Sequence, residues 1–286
     1  MPSRRKSSPR EPRASRSTAE SLREYGRGVA GGLLFSLPLL YTMEVWWAGF
    51  TMEPARQLAY VAGTFLLLLG YNRYAGLHPD TTWAEVAIDS VEELGLGLLL
   101  SALILYTLGR IDTYQHVDEI VGRIVVEGMT VAIGVSVGTA QLGGGKPDPG
   151  LAGADTVTFS GQLVLGCCGA VLFAANIAPT EEVVVLGTEM SPLRLIGVTL
   201  ISFLLGAVIL HYSDFRGADR WVRADTIGAA LRGTVVTYAV ALAMSAAVLW
   251  IFGRLEGVGL HAIVGQTVVL GLPATLGASA GRLLLQ

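Results

Sequence analysis

Charge is what this sequence has least of. Only 15% of its 286 residues are Asp, Glu, Lys or Arg, against 52% hydrophobic, and mean hydropathy is +0.55. Soluble domains carry roughly 25% charged residues. A chain this poor in charge has too little polar side chain to cover a water-facing surface, so the membrane class is the default. A net charge of −3 supplies no bulk attraction for nucleic acid. Cysteine is scarce as well. Cys167 and Cys168 adjoin each other in an apolar run, where they read as reduced, buried, small side chains rather than a disulfide framework. No G-x-x-x-x-G-K-[ST] occurs, which argues against a self-contained ATP-driven pump, and no cofactor is implied.

Long apolar runs are plentiful. Stretches long enough to cross a bilayer, about 20 residues each, fall at 29–50, 55–74, 88–109, 118–141, 160–187, 192–212, 227–252 and 258–283. The expected fold is therefore all-α and polytopic, with eight transmembrane helices. The Lys and Arg residues are unevenly spread. With the N-terminus inside, fifteen of the twenty fall on inner segments and five (Arg56, Arg110, Arg123, Arg194, Arg254) on outer ones. The positive-inside rule then places both termini in the cytoplasm of a cell whose plasma (inner) membrane holds the chain. Residues 1–28 form a basic, mostly disordered tail. Ser17 and Glu20 have the spacing of a capping box, so a short helix begins there.

The chain echoes itself. Adding 138 to Phe35, Thr42, Glu44, Gly49, Met52, Pro54 and Arg56 lands on Phe173, Thr180, Glu182, Gly187, Met190, Pro192 and Arg194. Gly109-Arg110 meets Gly253-Arg254 at an offset of 144, and Gly122, Gly128, Gly134, Ser136 and Gly138 meet Gly265, Gly271, Gly277, Ser279 and Gly281 at 143. Two four-helix units follow, residues 29–142 and 157–286, joined by a Gly/Pro-rich linker at 143–156. Four crossings is an even number, so the units run in the same direction, a parallel repeat about the membrane normal.

The candidate site follows from the acids. An Asp at the centre of a membrane helix costs about 2.5–3.5 kcal/mol on insertion scales. An acid persists there only beside a partner, water or an ion, or by taking up a proton. Glu44 and Glu182 repeat this placement in both units, with Glu181, Thr42, Thr180 and Asn176 beside them, and are the expected cation- or proton-binding groups. They would face a common polar cavity near the axis. Glu127 lies inside the 118–141 run, and its counterpart is Leu270, so it breaks the symmetry as a coupling site would. The alternative is that Glu44–Arg56 and Glu182–Arg194 lock two helix hairpins. Pro38 and Pro179 break or kink their helices. Gly134-x-Ser136-x-Gly138 and Gly277-x-Ser279-x-Gly281 also spell G-x-x-x-G, a close-packing face. The two helices carrying them are expected to pack tightly, on each other if they flank the axis. As a nucleophile elbow the same pattern lacks its strand-to-helix turn and His partner. His116, Asp118, Glu119 and His261 have no tight metal-ligand spacing, so the metal assignment stays open. Asp89 and Glu93 share a helix face and suggest an inner cation vestibule.

Tyr-Thr-Met-Glu-Val-Trp-Trp at 41–47 and Asn-Ile-Ala-Pro-Thr-Glu-Glu at 176–182 resemble the signatures of a family of uncharacterised bacterial integral membrane proteins of about this length. The resemblance covers nearly the whole chain after residue 20 and implies the membrane fold but no activity. The leading functional expectation is a channel or secondary transporter for a small cation or proton, in the lipid bilayer. A non-transport scaffold or assembly factor comes second, and an intramembrane enzyme third. A homo-oligomer is compatible with each.

Overall fold

The computed structural model describes residues 18–75, 82–142, 158–212 and 227–283. All its elements are helices, with no strand among the described residues: α1 (Thr18–Leu40), α2 (Met43–Thr51), α3 (Pro54–Ala75), α4 (Trp83–Thr107), α5 (Val117–Gln141), α6 (Phe159–Ala175), α7 (Glu181–Glu189), α8 (Pro192–Tyr212), α9 (Ile227–Ile251) and α10 (Leu260–Leu283). The linker at 143–156 and the charged loop at 213–226 lie outside the described residues, as does most of the basic tail.

Two of the eight expected helices are divided, in the runs that hold Pro38 and Pro179. The apolar runs at 29–50 and 160–187 each divide into a long helix and a nine-residue helix, α1 then α2 and α6 then α7. In the first run the axes turn by 87° between Tyr25–Leu40 and Met43–Thr51. Chain chemistry accounts for the break. Pro38 removes one backbone donor near the end of α1. Thr42 and Thr180 then take extended backbone as the N-caps of α2 and α7. Each short helix ends in another extended residue, Met52 or Met190. The next helix begins two residues later on a proline, Pro54 or Pro192, where a missing N–H costs nothing. The separate short helix expected from Ser17 is instead the first turns of α1.

Four helices are long and apolar enough to cross a bilayer: Val117–Gln141, Pro192–Leu210, Leu231–Ile251 and Leu260–Gly281. The bent pair α1–α2 makes a fifth. The other expected crossings fall short for local reasons. α3 carries Arg56 and Arg73, α4 carries Glu85, Asp89, Glu92 and Glu93, and α6 has only 17 residues.

Packing follows the same scheme in α1–α5 (the first bundle) and α6–α10 (the second). α1 lies along α5 as α6 lies along α10; α2 crosses α5 as α7 crosses α10; α3 and α4 pack on α5 as α8 and α9 pack on α10. Loop ends match too. α4 and α9 both close with a left-handed glycine, Gly109 at φ 66° and Gly253 at φ 72°. In both, the following arginine N–H bonds the carbonyl five residues back, Arg110 to Leu105 at 2.8 Å and Arg254 to Leu249 at 2.9 Å. This is the Schellman closure, for which glycine is the usual residue. The bundles meet chiefly where α6 enters beside α3, with smaller contacts to α1 and α5.

Glycines set the close crossings. A Cβ on Gly31 would land on the backbone of Gly138, and one on Gly169 on that of Gly277. The two G-x-S-x-G segments are thus packing faces, but their partners are α1 and α6. α5 and α10 do not pack on each other, because their glycine faces are already covered by glycine faces on the neighbouring helix. Gly31→Val should therefore lose about 1–3 kcal/mol, or the folded state altogether. Gly63→Ala, where a Cβ meets open space, should gain up to about 1 kcal/mol from helix propensity. Thermal unfolding in detergent compares them, and equal midpoints for the two variants would contradict this account of the crossing.

Candidate functional site

The short helices gather most of the residues expected at a site. Glu44 opens α2 and is half-buried; Glu181 and Glu182 open α7 and are exposed. Gly49 of α2 presses on the backbone of Gly122 and Arg123 in α5, and Gly187 of α7 presses on Gly265 and Gln266 in α10. Thr42 donates its hydroxyl to the Pro38 carbonyl at 2.7 Å.

Arginines then fasten these short helices, with partners other than those expected. Arg56 pairs with Glu256, in the loop between α9 and α10, and lies 5.9 Å over the Trp250 ring. The lock therefore joins the bundles instead of closing the α2–α3 hairpin on Glu44. Arg254 holds Glu181 at 2.9 Å and donates to the Pro179 carbonyl. Arg194 is exposed and forms no ion pair with Glu182. In the first bundle, Arg110 stacks on the Trp46 ring at 4.7 Å, and Arg123 lies 5.2 Å over Phe50 while donating to the Arg110 carbonyl.

Asn176 has a role that its sequence position only hinted at. Its Oδ1 accepts from the Leu39 N–H at 3.1 Å, and its Nδ2 donates to the Phe35 carbonyl at 3.2 Å. Leu39 and Phe35 are four apart and would bond each other in an unbroken helix. The amide of the second bundle thus bonds two backbone groups of α1 in the first.

Glu44 and Glu182 do not share the cavity that described residues form at the seam between the bundles. The cavity at the seam between bundles, about 70 Å³, is lined by Phe35, Tyr71, Val137, Leu165, Phe173 and Ala280 among others, and by neither acid. Its walls are apolar because both bundles turn their packing faces inward there. His116 and His261 are exposed at the starts of α5 and α10, and no group of three His, Cys, Asp or Glu that could hold a metal occurs among the described residues.

The interior of the first bundle is different. Glu127 is fully buried in α5, and neither carboxyl oxygen has a hydrogen-bond partner. On the same helix Thr130 shares a 2.7 Å hydrogen bond with Tyr60 of α3. Farther along, the Ser136 hydroxyl donates to Asn72 Oδ1 at 3.3 Å, and Asn72 Nδ2 donates to Ser90 Oγ at 3.1 Å and Glu93 Oε2 at 2.7 Å. Glu127 and Ser136 are nine residues apart, about 14 Å along the axis at 1.5 Å per residue. Buried hydroxyls of Ser36 on α1, Thr64 on α3 and Ser101 on α4 also lack partners. Each of the four long helices of this bundle thus contributes at least one unpartnered buried polar group. Of these residues Glu127, Ser136, Glu93 and the Asp89 beside it were legible from sequence. Tyr60, Thr64 and Asn72 were not.

A chain of stacked apolar helices, several of them long and apolar enough to cross a bilayer, is an integral membrane protein. Residues 24–285 match the family described as "Putative integral membrane protein (DUF2391)", and the chain belongs to that family. No curated protein and no solved structure matches it.

Asn176→Ala would remove both of the Asn176 bonds between the bundles. The expected cost is about 1–3 kcal/mol, with faster hydrogen exchange at the Leu39 amide. An unchanged exchange rate there would show that the Asn176 bond does not protect the Leu39 N–H.

Proposed function

We propose that this protein moves a proton or a small monovalent cation across the membrane, and that Glu127 is the group that binds it in transit. The supporting observation is the burial of Glu127 with both oxygens unpartnered. A charged carboxylate without a partner in an apolar interior is costly by several kcal/mol, so it persists as the neutral acid or with a cation alongside. Exchange between those two states is the elementary step of a carrier or relay. The Tyr60–Thr130 pair beside it and the Ser136–Asn72–Glu93 network beyond it give such a step a run of polar groups toward the C-terminal end of α5. Glu44, Glu181 and Glu182, at the half-buried and exposed starts of the short helices, then serve as an acidic rim that concentrates cations, in place of a central pair.

We read the chain as two copies of one unit, eight crossings in all, running in parallel through the plasma membrane with both termini in the cytoplasm. Matching caps, breaks and packing partners support this reading. The copies then differ in their interiors. At the offsets set by the packing, Tyr60, Asn72, Glu93 and Glu127 correspond to Val198, Leu210, Thr237 and Leu270. The ionisable groups are kept in one bundle and dropped in the other, which favours the first bundle as the conducting unit and the second as its support.

A scaffold without transport is the second reading. The Arg56–Glu256 and Arg254–Glu181 pairs favour it, since they fasten loops and short helices with no substrate required. Purified protein in liposomes separates the two. With a pH-sensitive dye inside and an imposed gradient of protons, sodium or potassium, wild type should show flux. Glu127→Gln should lower that flux by about tenfold or more through loss of the binding carboxylate, while Glu182→Gln should change it little. Flux unchanged in Glu127→Gln would remove Glu127 from the mechanism. No flux for any of the three ions in wild type would leave the scaffold.

A further inference from the structure

The seam between the bundles is one-sided. α6 of the second bundle sits against α3 of the first: Val164 packs where a Cβ on Gly70 would stand, and the Cys168 thiol reaches the Leu67 carbonyl at 3.7 Å. Under the two-copy reading, the reciprocal pairing would be α1 against α8. Those helices make no comparable contact within the chain. Both surfaces are instead bare. Leu205 and Val208, the α8 counterparts of Leu67 and Gly70, are 38% and 48% exposed. Gly26 and Ala30, the α1 counterparts of Val164 and Cys168, are exposed, with nothing within 4 Å of a Cβ on Gly26.

The bare surfaces also fit each other. In the seam a glycine on α3 receives a valine from α6. On the free surfaces the sizes are exchanged: α8 presents Val208 and α1 presents Gly26. The summed volume at this contact is the same, and volume-conserving swaps are those that close packing tolerates. Leu205 against Ala30 likewise resembles Leu67 against Cys168 in size. In lipid, where apolar area alone gives helices no reason to associate, small residues that admit a close neighbour decide which faces pair.

We propose that α8 of one copy packs against α1 of a second copy, reproducing between chains the α3–α6 seam found within one. The surface joins unlike faces, so it propagates from copy to copy until the rotation closes a ring. The occupant is a second copy of this chain because α1 carries, at the offset of 138 that relates the two bundles, the counterparts of the α6 residues that fill the α3 face within the chain. The inference rests on the two-copy reading of the fold and is independent of transport.

Disulfide trapping tests it. In a Cys167→Ala, Cys168→Ala background, one tagged chain carrying Gly26→Cys is co-expressed with a differently tagged chain carrying Val208→Cys, and membranes are oxidised. Cysteines bridge when their Cα atoms lie within about 7 Å. The expected result is a band of doubled mass carrying both tags, together with native mass spectra showing a closed oligomer. The pair Gly70→Cys with Val164→Cys in one chain is the register control and should bridge without any gain in mass. Bridging only between two Val208→Cys chains would overturn the proposal in favour of a like-face dimer. A monomer in native spectra, with the control pair bridged, would overturn it outright. Neither outcome bears on liposome flux, so the two proposals fail separately.

Discussion

Backbone-on-backbone contact between α5 and α1, and between α10 and α6, is the constraint on which the rest of the structure depends. Helices in lipid gain little from hiding apolar area from each other, so tight surfaces must supply the association. Gly31 on Gly138 and Gly169 on Gly277 bring the axes close enough for that. Once these pairs are fixed, the remaining faces of α5 and α10 turn toward the short helices and toward α3–α4 or α8–α9. The buried position of Glu127 is a by-product, since it lies on a helix surrounded on nearly every side.

The short helices show how the same geometry can be held by different chemistry. Arg110 and Arg254 follow equivalent left-handed glycines, and both reach back to the short helix of their own bundle. One ends on an indole face, the other on a carboxylate and a carbonyl. Cation–π and charge-assisted contacts are interchangeable here because each needs only a guanidinium delivered to a fixed place. The delivery is what the loop provides.

Much of this was legible in the sequence. The membrane class, the helical fold, the glycine faces and the oddity of Glu127 follow from composition, run length and one mismatched pair of positions. What the sequence could not supply was direction. Glu44 precedes two tryptophans in an apolar run, and Pro38 marks a break there without saying that the axis turns by 87°. The Glu44–Arg56 spacing looks like a hairpin pair until Glu256 arrives from two hundred residues away. Asn72, Tyr60 and Thr64 were missed because single polar residues in a long apolar run carry no pattern until a neighbouring helix makes them one face. Glycine faces name their own kind of contact but not their partner, which is why α5 and α10 looked matched to each other.

The bonds from the Asn176 amide to α1 tie the order of synthesis to one step of folding. The side chain that bonds the Leu39 N–H and the Phe35 carbonyl lies 137 residues from Leu39. When the ribosome has released the first five helices, that cross-bundle contact is still to be made, so it forms only after α6 has entered the membrane.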